Sequence, residues 1–486
     1  MSIGDLTSNF TTILPLTFLM GWGCLILLVD VWIPKGRKGV TALLSAVGLA
    51  VTLGITLSQS GSLPLTGFNG MVTVDGFAVF LEVLFLSSGL VGVALAYDYL
   101  KRMSLDRGEY YILLLFTISG MMLMSQAADL IVVFLALELL SIPLYVLAGF
   151  ARPRLDSEEA ALKYFLLGAF AGGFVLYGVA LVFGATGSTA LSQVVAAVNA
   201  GKAELPLLTI GAGLILIGLG FKVAAVPFHM WTPDVYHGAP SAVTAFMSVG
   251  AKAGGFAALL RVFVVAFPAL SVNLTPVLWA LAALTMVLGN MVAIAQSNIK
   301  RMLAYSSIAH AGYILMALVL FGNGKVAPVA VASALFYLVA YAVTSFGAWA
   351  VVIALEKAEG LGLNLDDYAG LGRKHPLLAG AMTIFMLSFI GVPPTLGFVG
   401  KFYLFRSVID GGYYSLAIIG VLTALISAYY YLRVVVIMYM RDGEPEIRSE
   451  PWLNLTAGAT AVATVALGIF ATPLFEWASN AVLKLF

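Results

Sequence analysis

The chain has 486 residues, of which 61% are hydrophobic and only 10% charged; soluble domains carry about 25% charged residues, so an ordinary soluble enzyme is excluded. Twenty-five lysines and arginines nearly balance 24 aspartates and glutamates, which leaves no basic excess to suggest a nucleic-acid partner. The single cysteine, Cys24, rules out an intrachain disulfide and any CxxC metal or redox motif.

Apolar runs long enough to cross a bilayer, about 20 residues each, begin near Phe10, Gly39, Gly76, Glu109, Asp129, Glu158, Pro206, Ser241, Asn273, Arg301, Ala327, Leu377, Gly412 and Leu453. An all-α membrane protein with about 14 spanning helices is therefore expected. The first run follows one charge, Asp5, and is too long for a signal-peptide core, so it is expected to be retained. Joining the spans alternately puts Lys35, Arg37, Lys38, Lys101, Arg102, Arg107, Arg152, Arg154, Lys300, Arg301, Lys357, Arg373, Lys374, Arg433, Arg441 and Arg448 on one side. The other side receives only Lys202, Arg261, Lys325, Arg406 and Lys484. Positive charge concentrates in cytoplasmic loops, which predicts a plasma-membrane protein with both termini outside.

Two spans look broken. The seventh contains Gly218, Gly220 and Pro227 around Lys222, and the twelfth contains GVPP at 391–394 and Gly397 just before Lys401. Proline removes a backbone donor and clashes with the preceding turn. Irregular backbone at membrane depth survives only inside protein or beside a wet cavity. Breaks five spans apart point to two inverted five-helix repeats, spans 4–8 and 9–13, with an ion site between them. The expected organisation is a three-helix region over 1–108, repeats over 109–268 and 269–440, and a loop with a final helix over 441–486.

Lys222, Lys252, Lys401 and Glu138 lie within these apolar runs. Each costs roughly 2.5–3.5 kcal/mol to insert, ~10–14 kcal/mol together, a burden expected only of groups that pair or handle an ion. Burial raises a carboxylate's affinity for a proton and a facing cation lowers it again. A partner that moves therefore switches the acid, although the same acid also fits a structural ion pair between helices. Desolvation favours the neutral form of an amine, so a buried lysine can release a proton near neutral pH. Lys222 is the expected partner of Glu138, and Lys252 sits among Gly250, Ala251, Ala253, Gly254 and Gly255. Lys401 fits either the matching role or a side chain snorkelling to the interface.

His229 follows Lys222 by seven residues, which predicts two helical turns along one face. Ser306, His310 and Tyr313 make a polar stripe on span ten. These histidines suit either a proton relay or satisfied core positions. Glu82 on span three fits an interfacial position as well as a buried one and receives no role. The four histidines and one cysteine form no metal cluster at recognisable spacing. No GxxxxGK[ST] loop and no strand-borne GxGxxG occur, so no nucleotide, flavin or haem is expected in this chain.

Several stretches resemble one family. GFKVAAVPFHMWTPDVYHGAP at 220–240, NIKRMLAYSSIAH at 298–310, GFVGKFY at 397–403, LELLSIPL at 137–144 and EAALKY at 159–164 are similar to the antiporter-like membrane subunits of bacterial NADH–quinone oxidoreductase, respiratory complex I. WTPDVY and lysine at 401 favour the subunit N branch. The resemblance implies that Glu138 and Lys222 form the ion pair between spans five and seven. It makes Lys252 the central lysine and Lys401 the residue near the outlet. Lys300 and His310 lie on the element between the repeats, Glu159 and Lys163 form a polar site at the start of span six, and Tyr429 to Tyr431 form an aromatic run.

It further implies outward proton translocation, with NADH:quinone oxidoreductase activity belonging to the assembled complex. By the same resemblance, flavin, iron–sulfur clusters and quinone are expected in partner subunits, and the expected partners are the M-, L-, K-, J- and A-type membrane subunits and, through them, the peripheral arm. A multisubunit Na⁺/H⁺ antiporter or a related ion-pumping complex is the alternative; the scarcity of buried acids beyond Glu138 disfavours a hard cation. A purely structural scaffold leaves the buried charges without a use.

Overall fold

Within lipid every backbone N–H and C=O must find its partner inside the protein, and a helix provides this within one segment, so apolar runs of about 20 residues fold as helices. The structure, a computed structural model, describes residues 9–357 and 360–481. In chain order its main helices are α1 (Leu14–Asp30), α2 (Gly39–Gln59), α3 (Gly76–Arg102), α4 (Glu109–Gln126), α5 (Leu130–Ala148), α6 (Leu155–Thr186), α7a (Leu205–Val223) and α7b (Trp231–Gly238). They continue as α8 (Ser241–Ala266), α9 (Ser271–Ile294), α10 (Ile299–Leu318), α11 (Ala327–Leu355), α12a (Pro376–Ile390), α12b (Leu396–Asp410), α13 (Tyr414–Met440) and α14 (Pro451–Ile469).

Among the described residues ten helices are long and apolar enough to cross a membrane: α2, α3, α5, α6, α7a, α8, α9, α11, α13 and α14. The chain is a multi-pass membrane protein. Helices α1 and α12a are shorter apolar helices. Helix α10 reaches 20 residues, but Lys300, Arg301, Ser306, Ser307 and His310 reduce its apolar character.

Helix starts follow local chemistry. Asp75 caps α3 by accepting from the Ala78 N–H, Asp129 caps α5 through the Ile131 N–H, and Asn298 caps α10 through the Lys300 and Arg301 N–H groups. Helix α8 is buried along its whole central window and α11 along 89% of it, whereas α2, α6, α13 and α14 expose more than half. Lys252 therefore sits on the innermost helix. Close approach depends on glycine: a Cβ on Gly178 of α6 would lie 2.7 Å from the Gly211 carbonyl oxygen of α7a.

A small antiparallel hairpin, β1 (Leu65–Gly67) with β2 (Val72–Val74), precedes α3 and is the only sheet among the described residues. Short helices over Leu191–Asn199 and Thr472–Asn480 were also not expected. Loops grouped by the charge alternation meet in space. Arg102 pairs with Glu450 at 2.6 Å and Lys357 with Glu446 at 3.0 Å at one end. At the other, Arg261 pairs with Asp75 at 2.8 Å and Asp129 bridges to Ala190. Asp5 and Lys484 lie outside the described residues.

Candidate functional site

The helix breaks set the positions of two lysines. Helix α7a ends at Val223 with Ala224 in the left-handed region (φ +63°), and α12a ends at Ile390 with Gly391 there (φ +92°). In both breaks the residue after the helix donates its N–H back to carbonyls of the last turn. At the first break the Trp231 indole N–H also donates to the freed Phe221 carbonyl at 3.0 Å. Trp231 stacks on Tyr164 of α6 with ring centroids 4.5 Å apart. The Lys222 ammonium, 4% exposed, donates to Tyr164 Oη at 3.1 Å and to Ser141 Oγ at 2.8 Å.

Glu138 is not in contact with Lys222. The expected ion pair is absent within 4 Å, because Ser141, one turn along α5, takes the ammonium instead. Both charges nonetheless line one small cavity with Gly172, Gly218 and Phe221. Glu138 is half-buried, and its Oε1 lies 2.8 Å from where a Cβ on Gly172 of α6 would stand. Glycine there makes room for the carboxylate.

Lys252 follows a π-helical turn, Met247–Ala251, an irregularity often found at functional sites. Its ammonium donates to the Ser307 carbonyl at 2.6 Å and to Ser307 Oγ at 2.5 Å. No carboxylate pairs with it among the described residues. One turn along α10, His310 Nδ1 meets Tyr337 Oη at 2.6 Å and Nε2 meets Tyr431 Oη at 3.1 Å. Ser306 bonds the same tyrosine. Tyr313 completes the stripe beside Asn290, which accepts from Tyr430 Oη at 2.9 Å. Tyr429 faces outward, so the aromatic run divides between the interior and the surface.

Lys401 does not snorkel. It is 4% exposed and reaches back across the second break to the Phe389 and Ile390 carbonyls, at 2.8 and 2.9 Å. Those carbonyls are accessible because α12a stops there. A Cβ on Gly391 would come within 3.0 Å of the Lys401 Cδ, and one on Gly397 within 2.0 Å of the Ser388 carbonyl oxygen.

His229 leaves the series. Its expected alignment with Lys222 required an unbroken helix, and α7a ends six residues earlier. The ring sits half-buried in the connecting segment, and its Nδ1 has no partner among the described residues. Lys300 in the first turn of α10 is 2% exposed and donates to the Ala239 carbonyl at 2.7 Å. Lys163 pairs with Glu159 at 2.7 Å and with Asp234 of α7b at 2.8 Å, and Asp234 also pairs with Arg301 at 3.0 Å. Glu82 is fully buried rather than interfacial, accepting from Gln126 Nε2 at 2.6 Å and from Thr56 Oγ1.

Residues 127–427 match the family model described as NADH:quinone oxidoreductase/Mrp antiporter, transmembrane. NADH-quinone oxidoreductase subunit N of Trichlorobacter lovleyi is 47% identical over 98% of this chain and 97% of its own length. The Chloroflexus aggregans subunit N is 48% identical over 95% and 94%. The chain belongs to the NADH-quinone oxidoreductase subunit N family. A chain of the Thermus thermophilus respiratory complex I superposes with a TM-score of 0.82 at 38% identity, over 95% of this chain and 98% of that one. A chain of the Mrp complex of a Dietzia species shares the fold alone, with a TM-score of 0.85 at 22% identity.

Sequence reasoning named the amines of this subunit N family member but missed most of what they touch. Tyr164 and Ser307 lie within stretches that carry the resemblance but were assigned no contact with the lysines, and Tyr337 on α11 lies outside those stretches. Ser141 was findable, since it lies three residues from Glu138 on the same helical face.

Proposed function

We propose that this chain is a proton-translocating membrane subunit of a NADH–quinone oxidoreductase. Protons would move outward through buried amines, hydroxyls and an imidazole, driven by quinone reduction in partner subunits. The observation that carries the reading is the set of three buried lysines, each satisfied by neutral oxygens and none locked to a carboxylate within 4 Å among the described residues. A structural ion pair would be closed; an ammonium held by hydroxyls and carbonyls loses little when it gives up a proton. Glu138 and Lys222 act as a pair coupled across their shared cavity, Lys252 and His310 form the centre, and Lys401 lies toward the outlet. Lys300 feeds the centre, and His229 stands at the margin.

The frame for this path is fourteen spans with inverted repeats over spans 4–8 and 9–13. Its divisions are 1–108, 109–268, 269–440 and 441–486. The loops rich in lysine and arginine face the cytoplasm, both termini face outside, and the membrane is the plasma membrane. Flavin, iron–sulfur clusters and quinone reside in partner subunits, among them the M-, L-, K-, J- and A-type membrane subunits. The fold likeness to the Mrp chain does not by itself favour sodium exchange.

Lys222→Ala and Glu138→Ala, each in the assembled complex, are expected to cut NADH-driven proton translocation by about tenfold or more. Full pumping in both variants removes these residues from the mechanism. Sodium-dependent transport by the reconstituted protein decides for the antiporter reading.

A further inference from the structure

A carboxylate outside the series just described is buried where α11 ends. Glu356 is 1% exposed, Tyr99 Oη donates to its Oε1 at 3.4 Å, and its Oε2 is buried without a partner among the described residues. Two cations close to it in the chain or through Tyr99 are engaged elsewhere. Arg102 pairs with Glu450 and donates to the Ile353 carbonyl, and Lys357 pairs with Glu446.

Lys300 and Glu356 flank the same short stretch leading into α8. Lys300 Nζ donates to the Ala239 carbonyl, and the Ser241 N–H donates to Tyr99 Oη at 3.0 Å. Ser241 Oγ and Tyr368 Oη are also buried and have no partner among the described residues. Buried polar atoms nearly always have a partner, protein or water. Two orphaned hydroxyl oxygens beside the carboxylate's own unpartnered Oε2 make a polar site of the kind that bound water satisfies. Other titratable and charged groups facing the cluster are Tyr99 and Arg102 of α3, Arg154 and Asp156 beside the start of α6, His237 of α7b, and Tyr368.

We propose that Glu356 is the proton-collecting group at the entry to the path, passing protons through water to Lys300; the assignment rests on the transport reading above. In the step, the neutral carboxylic acid of Glu356 gives its proton to the neutral amine of Lys300. A carboxylate and an ammonium result. Water on the loop side then returns a proton to the carboxylate, and the ammonium yields its own toward Ser307, two turns along α10 and hydrogen-bonded to Lys252.

The test uses inverted membrane vesicles carrying the intact complex, with proton uptake read alongside NADH oxidation. Glu356→Gln is expected to pump about tenfold more slowly at about pH 8 and to recover as the medium approaches about pH 6, where solvent protons load Lys300 directly. Glu356→Asp is expected to stay near the wild-type rate. A wild-type rate in Glu356→Gln, or a loss independent of pH, overturns the proposal. If Glu356→Gln does not assemble, Tyr99→Phe is read in the same way, with about threefold slowing and recovery at low pH expected; an unchanged rate overturns the proposal. Lys252→Met is run in parallel. Normal pumping there overturns the transport reading itself, whereas loss there with a normal Glu356→Gln overturns only the entry assignment.

Discussion

Lys252→Met is expected to reduce proton translocation by about 10²-fold while the complex assembles at normal yield. Methionine has the length and flexibility to fill the lysine's channel between α8 and α10. The groups it abandons are modest: the Ser307 hydroxyl can turn to another acceptor, and the Ser307 carbonyl remains in the helical ladder of α10. Removing a buried ammonium that has no carboxylate partner strands no opposite charge and also removes the cost of keeping that ammonium out of water. Stability and transport are therefore expected to move in opposite senses, or stability not at all. Proton uptake per NADH oxidised, measured with the amount of assembled complex, separates the two. Unimpaired pumping would make Lys252 a packing residue.

The helices were legible because the membrane imposes one rule on every residue of a span. Helices α2, α3, α4, α8 and α11 start at the residues where apolar runs were expected to begin, Gly39, Gly76, Glu109, Ser241 and Ala327. Both interruptions were readable from glycine and proline, since few arrangements satisfy a backbone that lacks donors at that depth. What the sequence could not supply was direction. Lys222 precedes its break and Lys401 follows its own, so one turns to the Ser141 and Tyr164 hydroxyls and the other to the Phe389 and Ile390 carbonyls.

The expected Glu138–Lys222 contact failed for a related reason. Two opposite charges on facing helices attract, but over one turn of helix a nearer hydroxyl wins the ammonium without requiring a desolvated ion pair to close. The arrangement leaves the acid and the amine on one shared cavity, as the proposed proton-handling pair requires. Loops were the least legible part. The hairpin before α3 and the helix over Leu191–Asn199 lie in segments too short to carry a periodic signal.

Asp75→Ala is expected to destabilise the subunit more than any substitution along the proposed proton path. Asp75 does two things at once. Its Oδ1 caps α3 through the Ala78 N–H at 2.9 Å, and both carboxylate oxygens accept from Arg261, at 2.8 and 3.0 Å. The Arg261 side chain is 5% exposed and that of Asp75 17%, so the fork is shielded from solvent. Losing the cap costs about 1 kcal/mol. Stranding a buried guanidinium costs a further ~3–5 kcal/mol. Asn at 75 keeps the cap and loses the charge, so Asp75→Asn isolates the second cost. Adding Arg261→Met to Asp75→Asn removes the stranded cation and is expected to restore most of the stability. Thermal inactivation of the detergent-purified complex, with native-gel retention of the subunit, reads all three variants. If Asp75→Ala and Asp75→Asn melt together with the wild type, the fork contributes nothing; if the Arg261→Met addition fails to rescue, the cost lies elsewhere than in the unpaired cation.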